Sequence, residues 1–310
     1  MKIFKQHKII QIIITFTLLL TNLVDIKYGV GSTSAEFLLI PKSARISAIA
    51  GAFTSIADDS NSIFYNPSGM AFIKENTISF THSSWLESIN FENVSCVLPL
   101  KNKLSIGIGM DYLGISGIKG KETQLSPIKE YSSYDLSPVF SISYLMNRKL
   151  SFGLSGKYIE EKIDDIKANS VAIDIGCLFR NKINSFKTFS VGISVSNICI
   201  NKHKFIEIEE NLPTKLVIGM SYKPIDDALL LSSDITVMRG SKPFINTGLE
   251  TLLYRVLFLR AGYKLDPSFE NASRITLGMG INIKNLSLDY SYLPFESLKN
   301  PHIFSIGYKF

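Results

Sequence analysis

The densest group of ligand atoms in the chain is Asp58-Asp59-Ser60-Asn61, with Asn66 a few positions on. Two carboxylates beside an amide are the start of a cation site, yet a hard divalent ion takes about six to eight oxygens at defined spacing. This stretch supplies fewer. It also reads as a helix stop, with Asn66-Pro67-Ser68-Gly69 as a second tight turn. The other reactive side chains are dispersed. His82, His203 and His302 lie far apart, and none accompanies a nucleophile in a setting such as the strained G-x-S-x-G elbow. Cys96, Cys177 and Cys199 are odd in number and keep no metal-ligand spacing with the histidines. Cys96 and Cys177 fall on the apolar face of alternating segments, as small hydrophobes. These residue types predict no metal, no cofactor, no disulfide and no enzyme.

The acidic pair belongs to residues 43–72, the one stretch that reads as helix. Ser43 suits an N-cap; after it Ala44, Ala48, Gly51, Ala52 and Ser55 make a face of small residues, and Ile46, Ile49, Phe53 and Ile56 a bulkier one. A helix apolar nearly all round is buried, and the small face admits another backbone at close range.

Nearly everything after it alternates with a period of two. Leu104, Ile106, Ile108, Met110 and Tyr112 form one apolar side, with Ser105, Gly107, Gly109 and Asp111 between them, and the pattern returns in Leu150, Phe152, Leu154 and in Leu286, Leu288, Tyr290. Fourteen such segments are predicted, at 76–85, 90–98, 103–113, 134–146, 149–160, 168–180, 186–197, 213–223, 228–239, 243–252, 255–265, 272–284, 286–294 and 301–310. They have the length of tilted membrane strands. Connections at 147–148, 224–227, 253–254 and 285 are tight and those at 114–133, 198–212 and 295–300 longer, as in outer-membrane barrels with short periplasmic turns. The non-apolar face is dominated by Gly and Ser, which suits a lumen more than a solvated surface. Asp111, Lys157, Asp174, Asp234, Glu250, Arg260 and Asp289 are scattered on it, free to pair across the interior or with Arg45, Asp58 and Asp59. Trp85, Tyr112, Tyr144, Tyr158, Tyr222, Tyr263 and Tyr292, near strand ends, are expected in interfacial girdles.

Lys2, Lys5, His7 and Lys8 precede an apolar run at 9–24 and the small residues Gly29 and Gly31, the layout of a secretory signal peptide cleaved after Gly31. Its loss removes four Lys and one Asp, so the net charge falls from +6 to +3 and nothing in the balance asks for nucleic acid.

The motifs Gly51-Ala52-Phe53, Ala57-Asp58-Asp59, Tyr65-Asn66-Pro67, Gly69, and His82 to Trp85 with Ile89-Asn90 make residues 31–100 resemble the N-terminal region of the PorV/PorQ family, barrels related to FadL-type transporters of long-chain fatty acids. Ser68 stands where that family usually has Ala. The resemblance implies an all-β transmembrane barrel of about 14 antiparallel strands, its lumen plugged by an N-terminal helical hatch. The expected organisation is a signal peptide at 1–31, a hatch at 32–75 and an outer-membrane barrel at 76–310, in a diderm bacterium. Phe310, ending the alternating His302, Phe304, Ile306 and Tyr308, resembles the signal read by the barrel-assembly machinery, which with outer-membrane lipids would be a partner.

Two activities follow from the resemblance. One is binding or passing a hydrophobic small molecule such as a fatty acid, with Asp58, Asp59, Asn66, Pro67 and Gly69 as latch and turn residues of the hatch, and with Gly114 and Gly117 breaking strand pairing to leave a lateral opening. The other is that of an accessory barrel of type IX-like secretion, shuttling secreted cargo. Short external loops would leave it limited docking area, since a stable interface buries on the order of 1,600 Å².

Overall fold

The computed structural model describes residues 33–310 apart from 86–88, 121–127, 185–186, 206–207, 226–227, 267–273 and 295–299, so the expected leader at 1–31 lies outside the described residues. Strands follow in chain order: β1 (Thr77–Ser84), β2 (Asn90–Pro99), β3 (Leu104–Gly120), β4 (Lys129–Asn147), β5 (Leu150–Ile163), β6 (Ile166–Asn184), β7 (Lys187–Cys199), β8 (His203–Phe205), β9 (Ile208–Glu210), β10 (Lys215–Ile225), β11 (Leu229–Met238), β12 (Phe244–Leu253), β13 (Leu257–Leu265), β14 (Ile275–Ile283), β15 (Leu286–Tyr292) and β16 (His302–Lys309). Fourteen of them close into an antiparallel barrel, and β8–β9 form a separate hairpin between β7 and β10. The seam joins first to last, from Thr77↔Lys309 to Ser84↔His302.

Alternation explains the barrel, and the faces are inverted relative to a water-soluble core. Phe140 is 57% exposed and Ser141 beside it fully buried. Along β5, Phe152, Leu154 and Tyr158 face out while Ser151, Ser155, Lys157 and Ile159 are buried. A wall that shows its large apolar side chains and hides its serines is made for lipid. Tyr112, Tyr144, Tyr158 and Tyr263 lie on that outer face as expected. Trp85 does not: it packs on the buried cluster of Phe37, Leu38 and Phe91.

Strand lengths depart from expectation on one side. β3, β4 and β6 run 17, 19 and 19 residues, against seven to nine in β13 to β16. The loop expected at 114–133 is therefore mostly the top of the β3–β4 hairpin. Ile115, Ile118, Tyr131 and Tyr134 favour strand, and a bulge between Ile115 and Ile118 takes up one extra residue around Gly117, whose φ is +70°.

The hatch is also reshaped. Instead of one helix from Ser43 to the stop at 58–61 there are helical turns at Ala44–Ala48 and Ser62–Tyr65 and 3-10 turns at Glu36–Leu39 and Pro67–Phe72. Ser43 precedes the first without a side-chain cap. Ala50, Gly51 and Ala57 take positive φ, which ends the helix after Ala48. The wall supplies the hydrogen bonds that a longer helix would have made itself. Asp234 accepts from the backbone N–H of Phe53 and Thr54 at 3.1 and 3.0 Å, the Thr276 hydroxyl donates to Ala48 O at 3.0 Å, and Ala44 N–H donates to Ser305 Oγ at 2.8 Å. These contacts reach β11, β14 and β16, so the segment sits in the lumen, against wall glycines that leave room for backbone. A methyl group on Gly192 would lie 2.3 Å from Thr54 O, and one on Gly262 2.3 Å from Ala50 N.

Candidate functional site

Asp58 and Asp59 close the lumen towards the rim that carries the tight turns and both barrel ends, the periplasmic rim by the usual asymmetry of these barrels. Arg45, one helical turn into the hatch, lies 2.7 Å from Asp58, 3.1 Å from Asp59 and 2.8 Å from Glu250 of β12. Glu250 also takes Arg260 at 2.6 Å, and Arg260 takes Asp289 of β15 at 2.6 Å. The chain of ion pairs thus fastens the hatch to β12, β13 and β15. Pairing of the inward charges with the hatch is as the sequence suggests.

The two aspartates are not equivalent. Burial would push the Asp58 carboxyl up, but Arg45, Lys223 and Arg180 outweigh it and hold it well below the ordinary 3.8. For Asp59 burial dominates over Arg45, and neighbouring Asp58 adds to it, so that carboxyl is raised. Asp59 Oδ1 accepts from the backbone N–H and the side-chain amide of Asn61 at 2.9 and 3.1 Å, which makes the turn. Beneath this floor a cavity of about 430 Å³ opens to the periplasmic rim, lined by Arg45, Asp58, Asp59, Glu250, Arg260 and Asp289 within and by Arg255, Lys284 and Lys309 at its mouth.

Asn66, Pro67 and Gly69 hold the hatch against β5 and β6. The Asn66 amide donates to Thr54 O at 2.8 Å and to Cys177 O at 3.3 Å, while its carbonyl accepts from the Ser68 hydroxyl at 2.5 Å. Pro67 opens the 3-10 turn and its carbonyl carbon would lie 2.3 Å from a methyl group on Gly153. Gly69 passes so close to Ala57 that a Cβ would come within 2.2 Å of Ala57 O. These three share the hatch with Asp58 and Asp59 but stand apart from the cavity.

The opposite half of the lumen is fastened by a residue that sequence reasoning missed. Lys42 is buried, 3.0 Å from Asp111 of β3, and donates to Phe37 O at 3.1 Å. A lysine between the apolar run 37–40 and the small residues that begin at Ala44 was the available signal. Above it Phe37, Leu38 and Ile40 pack with Phe91, Ile159 and Leu212, and Ser34 N–H donates to Asn211 O at 3.0 Å beside the β8–β9 hairpin.

The histidines remain apart. His82 meets Glu92 at 2.6 Å and His302 meets Tyr290 at 2.8 Å. His203 has Ser170 Oγ at 3.0 Å and a Glu161 oxygen at 2.7 Å, a triad-like spacing, with Ser170 and His203 both fully buried. Gly114 pairs with Asn90 and Tyr134 inside continuous strand, and Gly117 is the positive-φ residue of the bulge. Neither begins a loop. Pairing of β2 with β3 ends at Gly114, although β3 continues to Gly120.

The family model described as type IX secretion system protein PorV matches residues 26–238, the hatch and the barrel through β11. The chain belongs to the PorV family. No curated protein sequence matches it. Among solved structures it is similar to the P. putida toluene transporter TodX, at 12% identity and a TM-score of 0.61, covering 86% of this chain and 98% of that one. It is likewise similar to the monoaromatic hydrocarbon channel CymD, at 11% and 0.58 over 87% and 97% of the two chains, and to a Pseudomonas aeruginosa FadL homologue, at 11% and 0.51 over 87% and 98%. At these identities the structures establish the shared fold. This PorV-family chain is a non-enzymatic, integral outer-membrane barrel of FadL-like architecture, and the matched region contains Arg45, both aspartates, Asn66 and Lys42.

Proposed function

We propose that this PorV-family barrel serves protein secretion in the outer membrane of a diderm bacterium, holding a secreted polypeptide on its external face while its lumen stays closed. The observation that carries the reading is the unequal height of the wall. β3 to β6 form two hairpins that rise past the rest of the barrel, with Ile128, Ile163 and Ile166 exposed on them. They add the docking area that short loops would lack. Fastening of the hatch at two levels, by Lys42 above and Arg45 below, agrees with a barrel that works on its outside.

The test is to cut the β3–β4 hairpin back to the Ile115–Ser133 pair and follow secreted proteins. Loss of their surface delivery, with the shortened barrel still assembled, is the expected result, and photo-crosslinks from Lys119 of the intact barrel should reach a secreted protein. Normal delivery by the shortened barrel would sink the reading.

Passage of a hydrophobic small molecule is the second reading, favoured by one observation: the edge of β3 from Ile115 to Gly120 has no β2 partner among the described residues, next to a bulge. The similarity to the toluene transporter supports it at the level of fold. Exchange of Gly114 and Gly117 for Val should then lower uptake of a long-chain fatty acid, and unchanged uptake removes it.

A further inference from the structure

We propose that the periplasmic rim of the barrel is a binding surface for anionic phospholipid, with its strongest seat on the arc of Arg255, Lys284 and Lys309, where the barrel closes. The surface follows from the lipid-facing wall and the orientation of the barrel, whatever the external rim holds.

The two rims differ in charge. On the periplasmic side the connections at 100–103, 147–149, 182–187, 253–256 and 284–285 and the end of the last strand carry Lys or Arg and no acidic side chain, and the acids of that rim are Glu75 and the pair Asp226-Asp227. The external side has carboxylates beside its bases, and they pair: Glu130 with Lys119 at 4.0 Å, Glu160 with Lys167 at 3.0 Å, and Asp266 with Lys264 at 3.0 Å. Arg148, Arg255, Lys284 and Lys309 are exposed and make no ion pair among the described residues. Uncompensated positive charge on one rim calls for an anion.

Position makes that anion a lipid. Each of these bases stands beside a large, exposed apolar side chain: Tyr254 precedes Arg255, Ile283 precedes Lys284, Phe310 follows Lys309, and Met146 lies two positions before Arg148. A cation next to an apolar group belongs at the boundary of hydrocarbon and water, where its long stem lies on the acyl region and its head reaches the head groups. A soluble acidic partner would meet one face of the rim. Here the pairing of base and apolar neighbour recurs round the circumference, from Leu100-Lys101 at the β2–β3 turn to the seam. The densest arc is at the closure. β12 to β16 are successive neighbours, and Lys309 N–H donates to Asn285 O at 2.9 Å, so Lys284 and Lys309 share one corner, with Arg255 one hairpin away. A lipid phosphate there answers several cations at once and ties the β14–β15 turn to the closing strand, whose Phe310 N–H donates to Asn76 O across the seam.

The test uses the full barrel in bilayers of phosphatidylcholine and phosphatidylglycerol, with a spin-labelled form of each lipid, and reads the motionally restricted fraction by electron paramagnetic resonance. At about 0.15 M salt, labelled phosphatidylglycerol should associate about fivefold more strongly than labelled phosphatidylcholine, the scale of one basic residue at an anionic surface. The preference should shrink at about 1 M salt, where the screening length is about 3 Å. Arg255→Gln, Lys284→Gln and Lys309→Gln together should lower it by about threefold or more, whereas Lys119→Gln, Lys167→Gln and Lys264→Gln on the external rim should leave it unchanged. Equal association of the two lipids, or a preference untouched by the periplasmic exchange, overturns the proposal. An equal loss from the external exchange overturns it too, since net charge alone would then account for the preference. Loss of the preference on adding excess soluble glycerol phosphate, or a soluble glutamate peptide, would give the rim to a free phosphate or to an acidic protein in place of lipid.

Discussion

Arg45 sets the behaviour of the hatch floor, because one guanidinium answers three carboxylates and cannot satisfy them equally. Asp58 is held below its ordinary value, so the stability it contributes is fully present above about 3.8 and is lost only as pH falls through its lower folded value. Asp59 has the reverse sign. Its folded value is raised, so keeping it charged costs stability above that value, and acidification relieves the cost. Asp58→Asn is therefore expected to loosen the hatch at pH 7 by about 3 kcal/mol, the scale of breaking a buried pair. Asp59→Asn should change it by less than about 1 kcal/mol, since an amide at that position still accepts from Asn61 and lacks the charge that burial penalises. Hydrogen exchange of residues 44–60 in detergent measures both, and equal effects of the two variants would refute the asymmetry. Little of this was legible beforehand. The aspartates stood out by type, but which would be satisfied depends on Arg180, Lys223 and Glu250, more than a hundred positions away.

Among the elements, legibility followed the source of the hydrogen bonds. Barrel strands were readable because lipid outside and a small, polar lumen inside impose period two on every stave, and neighbouring strands differ little in what they ask of the sequence. The hatch was not, because Asp234, Thr276 and Ser305 complete its backbone, and helical spacing of its small residues reflects close packing on wall glycines and not a continuous helix. The tall β3–β4 hairpin was missed for a third reason: Gly114 and Gly117 look like a strand end, while a bulge lets the strand continue. The contrast gives a prediction. Gly69→Ala forces a methyl group onto Ala57 O, at 2.2 Å, and should cost about 1–3 kcal/mol as overpacking. Gly117→Ala meets nothing within 4 Å and bears only the cost of its positive φ, about 1–2 kcal/mol. Urea unfolding measures these costs, and amide hydrogen exchange should separate the two variants by place, with faster exchange in the hatch for the first and in the β3–β4 hairpin for the second. Loosening of the hatch by Gly117→Ala would mean that the hairpin and the plug are coupled.

For the whole molecule, the inverted wall and the doubly fastened lumen make separate demands. The wall requires lipid: Phe140→Arg, on an outward mid-strand position, should lower stability in a bilayer by about 2–4 kcal/mol. We expect the lumen to open only when both of its fastenings fail. Lys42 with Asp111 and the apolar cluster around Phe37 close the external half, and Arg45 with its carboxylates closes the periplasmic half, with Phe53 and Ile56 buried near the latter. Two barriers in series give a multiplicative effect. In planar bilayers the wild-type barrel should be silent, and so should Lys42→Met or Arg45→Met alone, because the remaining barrier still excludes ions. The double variant should show intermittent openings. Steady conductance in the wild type, or full opening by either single exchange, would show that one level carries the closure alone and that the lumen is a gated passage, which would move weight from the secretion reading to transport.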